Sequence, residues 1–145
     1  MRRPWLLVAV GLMAGCGLLP VATPDWVANR EPLPPCGEED VGVDGGFDAE
    51  ARRCLLDAFE SGGTGELITT QTTVEGDPVT RFLRVHDSGE IELIVDATRD
   101  AYGSRGWERL SCDRLVPVEE AEGPDVSFPD DMIFIEEGCQ QRPLP

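Results

Sequence analysis

Residues 64–116 read TGELITTQTTVEGDPVTRFLRVHDSGEIELIVDATRDAYGSRGWERLSCDRLV. Ile68, Thr70, Thr72 and Val74 alternate with Leu67, Thr69, Gln71 and Thr73, the period of a half-exposed strand. Ile91, Leu93 and Val95 alternate in the same way with Glu90, Glu92, Ile94 and Asp96. Glu75-Gly76-Asp77-Pro78 carries the glycine and proline of a turn, and Asp87-Ser88-Gly89 is a tight hairpin connection. The pattern predicts strands over Glu66–Val74, Val79–His86, Glu90–Asp96 and Trp107–Leu115, joined as an antiparallel meander. A second polar turn, Asp96 to Gly103, separates the last two. Beyond an acidic loop at Glu119–Pro124, Phe128 to Glu136 adds a short fifth strand around Met132, Ile133, Phe134 and Ile135.

Upstream lies one helix. Asp48 is a good N-cap, Glu50 complements the positive helix end, and Gly62-Gly63 stops the run. Ala51, Cys54, Leu55, Ala58 and Phe59 follow the i, i+3, i+4, i+7, i+8 spacing of a buried face. Arg52, Arg53, Asp57 and Glu60 are expected away from it. The fold class is therefore α+β: one short amphipathic helix packed on an antiparallel β-meander of four or five strands.

Between Glu38 and Asp48, Asp40, Asp44 and Asp48 recur four apart. An EF-hand loop needs oxygen ligands at alternate positions and a glutamate at its twelfth. Counted from Asp40, Gly42 and Ala51 stand where ligands are required, so the segment reads as a solvated acidic loop.

The N-terminus carries an address. Arg2-Arg3 is a short basic region and Pro4 to Met13 is largely apolar, too short to span a bilayer, which takes about 20 residues. That is the layout of a secretory signal peptide. Leu12-Met13-Ala14-Gly15-Cys16 then resembles the lipobox of bacterial lipoproteins, with Met13 in place of the usual Leu, Val or Ile. The likeness implies a thioether-linked diacylglycerol on Cys16, cleavage before it and acylation of the new amine. Two or more acyl chains suffice for stable anchoring. Gly17 to Pro35 carries Pro20, Pro24, Pro32, Pro34 and Pro35, a composition that favours extended chain. The expected organisation is a signal peptide over 1–15, a lipidated and Pro-rich tether over 16–35, and a single domain over 36–145.

The 145 residues hold 12 arginines, no lysine and 28 acids, for a net charge of −16. Removing residues 1–15 takes away Arg2 and Arg3 and no acid, leaving ten arginines against 28 acids, a net −18. Absence of lysine excludes Schiff-base chemistry and a P-loop. An acidic surface repels phosphate backbones, so nucleic acid is not an expected partner. The expected partners are the membrane, through the lipid on Cys16, and an envelope protein or small ligand.

Thr73-Val74-Glu75-Gly76-Asp77-Pro78-Val79, then Val95-Asp96-Ala97-Thr98-Arg99-Asp100-Ala101-Tyr102-Gly103-Ser104, then Ser111-Cys112 resemble a family of small bacterial lipoproteins with a domain of unknown function. The likeness covers residues 64–139. It implies an extracytoplasmic location and brings no activity and no catalytic residues. With Cys16 set aside, Cys36, Cys54, Cys112 and Cys139 allow three pairings, in a compartment that permits disulfides. The family keeps the late pair, which implies Cys112–Cys139 and leaves Cys36–Cys54. The rival is Cys36–Cys139 with Cys54–Cys112.

His86 is the sole histidine, so any Ser-His-Asp or Cys-His arrangement would have to use it. No Gly-x-Ser-x-Gly elbow accompanies it. Glu75, Asp77, Asp96 and Asp100 sit at two turns that a hairpin sheet brings to one end. Converging, they could bind calcium or serve as an acid–base pair; otherwise they hydrogen-bond turn amides and pair with Arg81, Arg99 or Arg105. No catalytic set is complete and no cofactor or metal is expected. The functional expectation is a lipid-anchored, non-catalytic binding or envelope-associated module. The alternatives are a carboxylate-dependent hydrolase and a calcium-stabilised module.

Overall fold

A computed structural model describes residues 21–121 and 127–145. The expected signal peptide over 1–15, Cys16 and residues 17–20 of the expected tether lie outside them. The elements run α1 (Asp25–Ala28), β1 (Pro35–Val41), α2 (Ala49–Glu60), β2 (Gly65–Thr72), β3 (Pro78–Val85), β4 (Ile91–Asp96), β5 (Trp107–Cys112), β6 (Arg114–Pro117), β7 (Phe134–Glu137) and β8 (Gln140–Gln141). Strands β1-β2-β3-β4-β5-β8 form one six-stranded sheet and β6-β7 a separate pair. The class is α+β, with more strands than the sequence suggests.

The central hairpins follow the alternation seen in the sequence. Leu67 pairs with Leu83 and Leu83 with Leu93, so the apolar sets of β2, β3 and β4 line one face. On this inner face Leu67 is fully buried, as are Leu55 of α2, Ile91 and Phe134. They form one core with Leu83, Val85, Leu93, Val95 and Leu115. The opposite, outer face carries Glu66, Arg84 and Glu92 in one cross-strand row and Ile68, Phe82 and Ile94 in the next.

The sheet is not the pure meander expected. β1 joins it in parallel with β2, and α2 is the crossover that returns the chain for such a pairing. The segment read as a solvated loop thus begins with a strand, and its Glu39 is buried. Its acidic composition hides an alternation in which Glu39 and Val41 point inward while Glu38 and Asp40 remain more exposed. The expected strand Trp107–Leu115 divides at Asp113, whose N–H bonds Glu137 O at 2.9 Å and turns the chain onto β7. The expected last strand lies in the β6-β7 pair, where Val116 faces Ile135.

Asp48 caps α2 by accepting the N–H groups of Glu50 and Ala51, each at 3.0 Å. Gly62, at φ 69°, and Gly63 close it by bonding Phe59 O and Ala58 O, the Schellman arrangement. Two side chains depart from the expected helix faces. Arg52 is buried, whereas Cys54 lies at the surface and is reached there by Cys36. Gly37 is what lets β1 run so close under the helix. Its φ is 151°, and a Cβ there would stand 2.9 Å from the Ala51 Cβ.

Of the three possible pairings, the disulfides present are Cys36–Cys54 and Cys112–Cys139. The first ties β1 to α2, and the second ties the end of β5 to the turn before β8.

From Pro24 onward the proline-rich segment lies against the outer face. Val27 is 1 % exposed, Trp26 meets Trp107 edge-on at 6.4 Å, and Glu66 N–H donates to Pro34 O. From Pro24 on, the expected tether is therefore packed on the sheet and is not a free spacer.

Candidate functional site

The four carboxylates singled out from sequence fall at one end of the sheet. Glu75 is exposed at its turn. Asp77 reaches across and accepts the Ala101 N–H at 2.8 Å, which locks the two polar turns together. Asp96 Oδ1 accepts the Thr98 N–H at 3.0 Å and its hydroxyl at 2.6 Å. Asp100 Oδ1 accepts the N–H groups of Tyr102 and Gly103 at 3.0 and 2.7 Å. The structure therefore brings Asp77 to the Asp100 turn, but spends their oxygens on backbone amides that the turns leave open. Among the described residues no group of three or more His, Cys, Asp or Glu side chains is placed to hold a metal ion.

A larger charged assembly, not foreseen from sequence, covers the outer face. Glu66 accepts from Arg30 Nε and Arg84 Nε, both at 2.9 Å. Glu92 bonds Arg84 and accepts from Arg109 Nε at 2.6 Å, and His86 Nε2 lies 3.3 Å from it. Burial alone would push the Glu92 carboxyl up. The Arg109 hydrogen bond and the charges of Arg84 and Arg109 outweigh it and hold the group below the usual carboxylate range. The hydrogen bond to Glu66 likewise raises Arg30, against the opposing effect of its burial.

Arg84 also donates to Glu31 O, and the Arg30 guanidinium lies 4.6 Å from the centre of the Phe82 ring. These contacts clamp the N-terminal segment onto the sheet. A shallow hollow of about 230 Å³ beside them is lined by Trp26, Arg84, His86, Glu92 and Arg109. Arg30, Arg84, His86 and Arg109 there are matched to Glu66 and Glu92, while Glu31 and Glu90, also in the lining, take part in none of the ion pairs among the described residues.

The inner face differs. A cavity of about 240 Å³ is lined by Phe47, Arg52, Thr69, Gln71, Arg81, Leu83, Leu93, Met132 and Glu136. One end is closed by a satisfied network. Arg52 donates to Glu39 at 2.7 Å, Thr69 donates to the same oxygen at 2.7 Å, and the Asp48 N–H donates to the other at 2.8 Å. Phe47 covers the Arg52 guanidinium at 4.2 Å, and its N–H bonds Asp131 at 3.0 Å, which fastens the rim to the approach to β7.

Arg81 and Glu136 reach the same cavity from β3 and β7, and both are half-buried. Neither takes part in any of the ion pairs among the described residues. Arg81 stands in the inner row with Leu83 and Val85, opposite Thr69 and Val95. Glu136 shares a strand face with Phe134, which is fully buried.

Each of these charges interrupts an apolar alternation, and that interruption is a signal the sequence does carry. It becomes informative only once the pairing brings the two strands to one cavity. No family model, curated protein or solved structure matches this chain.

Proposed function

We propose that the chain is a lipid-anchored extracytoplasmic protein, and that its folded part is a non-catalytic binding or envelope-associated module. The observation that carries the address is Leu12-Met13-Ala14-Gly15-Cys16 at the end of a basic and then apolar leader. Two disulfides support it, because such bridges persist in oxidising compartments. The resemblance to small bacterial lipoproteins points to the same place.

The binding role rests on where the carboxylates sit. A general acid needs a carboxyl whose pKa is raised toward neutrality. Glu92 is held in the opposite direction by two arginines, and Asp77, Asp96 and Asp100 are engaged with turn amides. A module of this kind works by presenting fixed surfaces and cavities at the membrane rather than by turnover.

Expression of the wild type and Cys16→Ala in a bacterial host, followed by detergent-phase partitioning, tests the anchor. Wild type is expected in the detergent phase, with the variant secreted or retained as an unprocessed precursor. A processed Cys16→Ala protein found wholly in the detergent phase would falsify lipid anchoring at this cysteine.

A further inference from the structure

We propose that the inner cavity is a ligand site for a small zwitterion with an apolar body, of the free amino-acid class. The carboxylate would sit against Arg81, the ammonium against Glu136, and the hydrocarbon between Phe47, Leu83, Leu93 and Met132. This deepens the binding-module reading and rests on it.

The argument begins with pairing. Five described arginines are not fully exposed: Arg30, Arg52, Arg81, Arg84 and Arg109. Four of them hold a carboxylate of a described residue within 4 Å; among the described residues Arg81 alone has none. Arg81 is only half-buried, so its guanidinium donors keep access to water, and an acceptor on a ligand can take that water's place. A half-buried carboxylate, Glu136, lines the same cavity and has no ion-pair partner among the described residues either. Opposite charges that share a small cavity without closing on each other leave a gap whose two ends have opposite polarity.

Size and lining define what fits between them. About 240 Å³ equals roughly eight waters at about 30 Å³ each. That is below the range of drug-sized pockets, which starts near 300 Å³, and is suited to a molecule as small as an amino acid. Arginine's planar fork matches a carboxylate in bidentate fashion. The Glu39–Arg52–Thr69 network beside it is already satisfied, so it fixes the wall and does not compete for the ligand. Gln71 adds an amide to the lining.

The test is calorimetric titration of the mature lipoprotein in detergent micelles with L-leucine, L-methionine and L-phenylalanine. The N-acetyl derivative and the amide of each ligand that binds are then titrated in turn. At least one zwitterion is expected to bind at millimolar concentration. Removing its ammonium or its carboxylate should weaken binding by about tenfold or more, since each analogue leaves one half-buried charge unpaired. Arg81→Met should abolish discrimination against the amide, and Glu136→Gln discrimination against the N-acetyl form.

Absence of binding by all three zwitterions overturns the proposal, as does equal binding of a zwitterion and both its analogues. The analogue series needs no variant to fold, so misfolding of Arg81→Met cannot shelter the claim. Lack of binding by a protein that still partitions into detergent through Cys16 removes the ligand site alone. Loss of partitioning strikes the anchored reading instead.

Discussion

The Glu39 side chain is 1 % exposed and that of Arg52 6 %, so this ion pair is as buried as the apolar core around it. Removing one partner of such a pair strands the other charge, at a cost of about 3–5 kcal/mol. Arg52→Met is therefore expected to lower the melting temperature by more than about 10 °C. The double variant Glu39→Leu/Arg52→Met should recover most of that loss, because it removes the stranded charge as well. A double variant no more stable than the single one would show that the pair also fixes the packing of β1 on α2.

Glu92 makes a separate pH prediction. Its folded pKa is depressed, so the unfolded chain binds its proton more readily. Its stabilisation is complete above the unfolded value, about 4.3, and is lost as pH falls through the lower folded value. Between about pH 5 and pH 2, stability should fall less steeply in Glu92→Gln than in wild type, as read by denaturant titration at each pH. Parallel slopes would mean that other carboxylates dominate the acid limb.

Among elements, α1 has the least intrinsic reason to exist. Its four residues are too few for a helix to stand alone. It persists because Val27 is buried and Arg30 is held by Glu66 against Phe82. Val27→Asp is expected to undock it and lower stability by about 2–3 kcal/mol. Trp26 would then separate from Trp107, with a red-shifted tryptophan emission before global unfolding. An unchanged spectrum would place the docking energy in Arg30 alone.

This element also shows the limits of reading the chain as a string. Strands β2 to β4, the Asp48 cap and the Gly62-Gly63 stop were legible because each depends on neighbours close in sequence. α1, β1 and the burial of Arg52 were not. Arg52 is one charge among several on a helix face, and its partner lies 13 positions earlier in a stretch that composition marks as loop. The dense prolines up to Pro35 predict extended chain, which α1 interrupts at Asp25–Ala28, and they give no hint of what the segment lies upon. The same holds for the candidate site. Asp77, Asp96 and Asp100 announce turns, whereas Arg81 and Glu136 become a pair of walls only through long-range strand placement.

At the scale of the whole molecule, charge sets the last expectation. Residues 16–145 carry a net −18, and like charges spread over so small a body oppose compaction. The arginines are not spread evenly against that field. Arg30, Arg52, Arg84 and Arg109 are gathered into pairs that are buried or partly so, which leaves much of the outer surface with unopposed carboxylates. Salt treats the two populations differently. Screening shortens from about 30 Å at 0.01 M to about 8 Å at 0.15 M, and acts on exposed charges far more than on buried pairs. Among the described ion pairs, Arg114–Glu137 is the most exposed, at 63 % and 35 %, and a pair of that kind contributes about 0–1 kcal/mol at most. Added salt therefore relieves repulsion while costing little attraction. The melting temperature of a chain comprising residues 16–145 should rise steadily between about 0.01 M and 0.15 M sodium chloride. Replacing Glu119 and Glu120 with glutamine should reduce that rise by removing two of the repelling charges. A melting temperature that falls with salt would instead show that the outer-face arginine–carboxylate ladder is screened like a surface feature, and that its pairs, not the apolar inner face, dominate what salt can reach.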